Sequence, residues 1–167
     1  MGCVDVSGVA EGAGVKSKRL LIVVNVDWFL LSHRLPVALG ARQAGYEVHI
    51  ATTLTQDAAT LEAHGFVVHP LEVDRSGAGL LGLFKLFVRL VRLFWAIRPD
   101  VLHLVTIKPV LVGGLAARCS PVQGVVCAIS GLGHVFVAEG FWGRLRRRLV
   151  GAWYHLVLGT RNIRVIF

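Results

Sequence analysis

The sequence has only three cysteines, Cys3, Cys119 and Cys127, an odd number at no ligand-like spacing. That excludes a disulfide framework, points to a reducing compartment and leaves buried or incidental thiols as the plain reading. His49, His64, His69 and His155 have no partner at metal spacing, no zinc pattern exists and no metal is expected. Acidic residues are scarce, 10 Asp+Glu against 18 Lys+Arg, giving a formal charge of +8. Such a balance suits nucleic acid, an anionic membrane surface or phosphorylated substrates. Nucleic-acid binding would want basic residues interleaved with exposed aromatics or a recognition helix, and neither is evident. No uninterrupted apolar run of about 18 residues occurs, so no spanning helix is expected. The first 18 residues, rich in Gly, Ala, Val and Ser, lack the apolar core of a signal peptide and read as a disordered leader. Gly2 follows Met1, but Val6 stands where the myristoylation pattern needs Ser or Thr.

What the chain does have is apolar material. Hydrophobic residues make up 54% of it and the mean hydropathy is +0.65, high enough that some apolar surface is expected to stay exposed. Leu20–Val26 is a short run rich in β-branched residues, as in a strand covered on both faces. Ser32 can cap a following helix, Pro36 suits its first turn, and Gly45 offers a left-handed stop. Strands are then expected at Tyr46–Ala51, Phe66–Leu71, Val101–Val105, Gly124–Ile129 and Ile163–Phe167. Helices are expected at Thr55–Ala63 with Thr55 as cap, Gly79–Ile97, Val110–Arg118 and Phe141–Leu158. Strand and helix alternate throughout, which predicts an α/β fold: a doubly wound, mainly parallel, Rossmann-like sheet of five or six strands with right-handed crossovers. No internal repeat and no interdomain linker interrupts it. Ending on an apolar strand predicts that this chain is one half of a larger protein or one subunit of a split one.

In open parallel sheets ligands bind beyond the carboxyl ends of the strands. Asp27, His33 and Arg34 follow the first strand there, and an Arg fork suits a pyrophosphate or sugar hydroxyls. The alternative is a surface Arg beside a helix-terminal His. Thr106 and Lys108 follow the fourth strand, and Lys108 is placed for a phosphate contact. His103, inside that strand, reads as either a satisfied core residue or a functional one. Gly113–Gly114 let the backbone approach something closely. Ser130, Gly131 and Gly133 after the fifth strand form a partial dinucleotide fingerprint, but Phe136 stands where the third glycine belongs. They read as a permissive turn or as amides meeting a phosphate or sugar. His134 and Glu139 in the same loop could supply acid–base chemistry or be solvated. Lys85, Arg89 and Arg92 fall at i, i+4 and i+7 on Gly79–Ile97, whose apolar arc is wider than a sheet-covering helix needs. This helix reads as core or as an in-plane membrane helix, a role that Arg144, Arg146, Arg147 and Arg148 would reinforce.

The segments VDWFLLSHRLPVALGARQAGYEVHIAT, IRPDVLHLVTIKPVLVGGLAAR, AISGLGHVF and RVIF, in that order, resemble the amino-terminal domain of bacterial family 4-like glycosyltransferases of the GT-B fold. The likeness runs from about Lys18 to Phe167 and is greatest to enzymes extending lipid-linked oligosaccharides for O-antigen, capsule or exopolysaccharide. It implies that residues 19–167 are the acceptor-binding half of an enzyme whose carboxyl-terminal half binds most of a nucleotide-sugar donor. His33-Arg34, the Thr106–Pro109 turn and the Ser130–Gly133 loop would face the interdomain cleft. The acceptor would be a lipid-linked or other glycan, and the protein cytoplasmic and peripheral on the inner leaflet. The acidic donor-binding motif is absent from this sequence, so no cofactor is expected in this chain, no catalytic residue is assigned, and inactivity alone is expected. The alternatives are a non-catalytic, membrane-recruiting subunit that works with a donor-domain partner, and a nucleotide-cofactor oxidoreductase, against which the missing third glycine argues.

Overall fold

The computed structural model describes residues 17–55, 58–71, 79–128 and 163–166. Six strands, β1 (Arg19–Val26), β2 (Glu47–Thr53), β3 (Val67–Pro70), β4 (Val101–Val105), β5 (Gly124–Ala128) and β6 (Ile163–Ile166), form one parallel sheet in the order β3-β2-β1-β4-β5-β6. The chain thus winds outward from β1 in one direction, returns, and winds outward from β4 in the other. The doubly wound, Rossmann-like α/β class expected from the alternation is the one observed. The segment before Ser17, the Ser130–Gly133 loop with His134 and Glu139, and the helix expected over Phe141–Leu158 with Arg144, Arg146, Arg147 and Arg148 lie outside the described residues.

β1 is buried from Leu20 to Val24 on both faces, as its unbroken apolar run requires. On one face Leu20, Ile22 and Val24 pack with Leu30, Ala38, Ile50 and Leu61 beneath α1 (Asp27–His33), α2 (Leu35–Gln43) and α3 (Ala59–Glu62). On the other, Leu21 and Val23 pack with Leu90, Phe94 and Leu104 beneath α4 (Leu80–Ile97) and α5 (Gly114–Arg118). Cys127 lies in this second core, where burial pushes its thiol up to about 11.

Three expectations about local structure are corrected. The first crossover is two helices, not one: α1 begins directly at Asp27, and the chain breaks at Arg34 before α2. Ser32 therefore caps nothing. Its hydroxyl donates back to Trp28 O at 2.8 Å, one turn earlier in α1, as mid-helix serines do. Pro36 does sit in the first turn of α2, and Gly45 turns with φ +86°. Thr55 does not cap the next helix either, which is confined to Ala59–Glu62, because its backbone N–H and hydroxyl are both turned to Asp27. Finally, the helix expected to begin at Val110 opens as a π turn over Pro109–Gly113 before α5. Gly113 permits this: a Cβ there would lie 2.8 Å from Leu104 Cδ2, so the turn can press onto β4 only without a side chain.

Helix α4 buries Leu86, Leu90, Phe94 and Ile97, one stripe at i, i+4, i+8 and i+11. Phe87, Val91 and Leu93 are partly buried against the same core, while other apolar residues of the helix face solvent: Leu80 is 87% exposed, Phe84 62% and Trp95 50%, the indole N–H of Trp95 donating to Cys119 O. Lys85, Arg89 and Arg92 are exposed on the adjoining strip of the same helix. Among the described residues no helix is long and apolar enough to cross a membrane.

Candidate functional site

The strand order reverses between β1 and β4, and the helices following the two strands leave toward opposite faces, the point at which open parallel sheets form their ligand crevice. What lines that point is decided by how each strand ends. Val23 pairs with Ala51 and Val26 with Thr53, so β1 carries one extra residue against β2 just before its end. Such a bulge re-aims side chains, and Asn25 lies within it, its Oδ1 buried without a partner.

Asp27 follows immediately and is 2% exposed. Its Oδ1 accepts from Trp28 N at 2.8 Å and from the Thr55 hydroxyl, and its Oδ2 accepts from Thr55 N at 2.7 Å. The carboxylate thus ties the end of β1 to the segment leaving β2. Of the other first-loop candidates, His33 is exposed, with its ring stacked on Phe29 at 4.5 Å between centroids and its Nδ1 2.6 Å from Ser32 Oγ. Arg34, at the break between α1 and α2, turns inward instead, with Nε buried and unpartnered.

Arg34 meets His103. That imidazole is 6% exposed on β4, and burial, aided by the Arg34 guanidinium, lowers its pKa to about 4. At neutral pH the ring is uncharged, and its Nε2 has no partner. It is therefore not the satisfied core histidine that a strand position usually holds.

At the end of β4, Thr106 adopts φ +74°. This is left-handed backbone, costly for a β-branched residue and concentrated at functional sites. Its N–H still donates to Ala128 O at 3.2 Å on β5, while its hydroxyl is buried without a partner. Lys108 follows in helical conformation, directly ahead of the π turn, a feature frequent at functional sites. Thr106→Gly is expected to raise the unfolding free energy by about 1 kcal/mol, since it removes both the strain and an unpaired hydroxyl. Urea denaturation checks this; a loss of stability would mean that the hydroxyl holds the turn.

Asp27, Arg34, Thr106 and Lys108 thus gather around one strand switch, with Asn25 and His103 beside them. Asn25 was legible in principle, as the one polar residue in a β-branched run. Its unpaired acceptor, the unpaired donor of Arg34 and a neutral imidazole suit a ligand with several hydroxyls and a negatively charged portion. Among the described residues no three His, Cys, Asp or Glu side chains converge to hold a metal ion.

A family model described as glycosyl transferase 4-like matches residues 19–150. No curated protein matches the chain. Among solved structures, a glycosyltransferase from Rickettsia africae superposes with TM-score 0.65 at 10% identity, covering 90% of this chain and 37% of that one. MurG from Acinetobacter baumannii gives 0.56 at 16% identity, covering 90% and 42%. A UDP-N-acetylglucosamine 2-epimerase gives 0.57 at 18% identity, covering 90% and 48%. At these identities the likeness is one of fold: the sheet is a single Rossmann-like half of the GT-B architecture, and the chain spans less than half the length of each of these structures.

Proposed function

Because this chain belongs to the glycosyl transferase 4-like family, we propose that it forms the acceptor-facing wall of a sugar-transfer cleft. The supporting observation is the polar rim at the β1–β4 switch, where buried atoms of Asn25, Arg34, His103 and Thr106 lack partners among the described residues. Unpaired buried polar groups are costly and are expected where a ligand completes them. The acceptor is a lipid-linked or polysaccharide glycan, and Arg34 and Lys108 meet its anionic portion. His134 and the Ser130–Gly133 loop would extend the same wall.

No described side chain is offered as a nucleophile. Charge developing on the departing nucleotide diphosphate is to be stabilised mainly from a donor-binding half facing this wall. The 167-residue chain alone is accordingly expected to transfer no sugar. Adding a donor-binding half of the same family in trans, with a nucleotide sugar and a polyprenyl-linked acceptor, is expected to give transfer, and Arg34→Gln to weaken it about tenfold. Robust transfer by the chain alone would refute this division of labour.

A recruiting role at the inner face of the cytoplasmic membrane is favoured by one further observation. The exposed Leu80, Phe84 and Trp95 of α4 run beside exposed Lys85, Arg89 and Arg92, the pattern of a helix lying at the headgroup level. Arg144, Arg146, Arg147 and Arg148 would add to the attraction. Co-sedimentation with anionic vesicles is expected at low salt, to weaken as salt screens the charges, and to be lost in Phe84→Asp. Binding that ignores both changes would leave α4 without this role.

A further inference from the structure

A second polar feature lies at the far edge of the sheet, away from the β1–β4 crevice. There a groove of about 540 Å³ runs between edge strand β3 and helix α4, lined by His69, Pro70, Leu71, Arg89, Arg92 and Leu93. We propose that this groove binds a phosphate monoester or diphosphate group between Arg92 and His69, with Arg89 at its border and the ligand's apolar part against Leu71 and Leu93.

Its polar wall is basic: two guanidinium-bearing residues three apart on one helix, an imidazole opposite, and no carboxylate among the described lining residues. Arg forks suit the several oxygens of a phosphate. The imidazole is not isolated. His69 Nε2 is 2.9 Å from His49 Nδ1, with the rings stacked at 5.2 Å between centroids. His49 Nε2 lies 3.4 Å from Glu47 Oε1, and the other oxygen of Glu47 accepts from Arg19 Nε at 3.0 Å. A line of titratable groups therefore runs from the groove wall through buried His49 to the partly exposed carboxylate of Glu47.

Burial lowers the pKa of both imidazoles; His49 lowers that of His69 further, while for His49 the attraction of Glu47 opposes burial and Arg19 adds to it. Arg89 and Arg92 of α4 border the groove as further positive charges. With the groove empty at neutral pH the pair is uncharged, and one N–H is shared between the two rings. A dianion held at Arg92 places negative charge beside His69 and makes its protonation favourable. By linkage, binding takes up a proton and tightens as pH falls into the histidine range.

The test uses the chain in solution without nucleotide, sugar or lipid, so its failure leaves the crevice reading untouched. Calorimetric titration with inorganic pyrophosphate is expected to give saturable binding, weakened about tenfold in Arg92→Gln and in His69→Gln. It should be unchanged in Arg98→Gln, which removes an exposed charge just beyond α4. Arg92→Lys, which keeps the charge but not the fork, is a second variant should the first fold poorly, and circular dichroism reports folding for each. Inorganic sulfate, whose charge is constant across the titration, should raise the His69 ring pKa by about one unit in proton NMR, a shift no merely structural histidine would show. Vesicles then distinguish the sources. Preference for phosphatidate over phosphatidylglycerol at matched charge, lost in His69→Gln, identifies a lipid monoester, and pyrophosphate binding without that preference identifies a soluble phosphate. Absence of saturable pyrophosphate binding, or an equal loss in Arg98→Gln, overturns the proposal.

Discussion

Asp27→Ala is expected to destabilise the fold by about 3 kcal/mol, lowering the thermal midpoint by on the order of 10 °C. The magnitude follows from what the carboxylate holds. It accepts from Trp28 N, Thr55 N and the Thr55 hydroxyl, and it is 2% exposed, so water replaces it poorly. Hydrogen bonds to a charged group are each worth about 1.5–3 kcal/mol, and truncation also strands donors in a protein interior. Asp27→Asn, similar in shape but with one acceptor oxygen fewer and no charge, should cost less, about 1–2 kcal/mol. The same pair of variants tests what Asp27 does for the site. If it only straps β1 to the segment after β2, transfer in the reconstituted enzyme should track the fraction folded. A loss of transfer in the stable Asn variant would instead give the carboxylate a direct part in acceptor binding.

Acid should weaken the protein in a window set chiefly by His103. The imidazole has its ordinary value of 6.5 in the unfolded chain and about 4 in the fold. Below pH 6.5 the unfolded state binds a proton that the native state refuses, so stability falls as pH drops. The loss grows until about pH 4, where the native ring also protonates, and reaches roughly 3 kcal/mol. His49 and His69, both lowered, act with the same sign. His103→Leu removes the titrating group and should flatten the fall while changing little at pH 7.5. Urea midpoints at pH 7.5, 5.5 and 4.5 check this. A wild-type curve indifferent to pH over that range would mean that the ring is solvated and that Arg34 does not face it.

These two residues also mark where reading the sequence stops. The sheet was legible because a strand buried on both faces needs an unbroken apolar run, as Leu20–Val24 provides, and because Gly45 marks a helix stop that needs positive φ. The exposed arc of α4 was legible too, since a helix can bury only one stripe against a sheet. The Asp27–Thr55 strap was not: it joins residues 28 apart through the register of β1 on β2, which no local period encodes. Thr55 looks like a helix cap for the same chemical reason that it binds Asp27: a short hydroxyl finds the nearest strong partner. The nearness of Arg34 to His103 depends on the break between α1 and α2, where Ser32 as a cap and Pro36 in the first turn suggested a single start. The His49–His69 line depends on the pairing of β2 with β3. Cross-strand neighbours form sites, and sequence patterns report mainly on the faces of single elements.

The central place of β1 has a kinetic corollary. It is made before the other described strands, but its second neighbour, β4, pairs from Val101 onward, and the bond from Arg19 N to Asp100 Oδ2 spans 81 residues. During synthesis β1 can pair with β2 early, while its other edge, lined by some of the most apolar residues in the chain, waits for the α4–β4 crossover to emerge. Parallel pairings of this range fold slowly and leave edges open to other chains in the meantime. Slowing translation beyond β4 should therefore do little for yield, whereas a pause between β2 and α4 should raise aggregation. The strand that organises the finished sheet is also the one that spends longest unfinished.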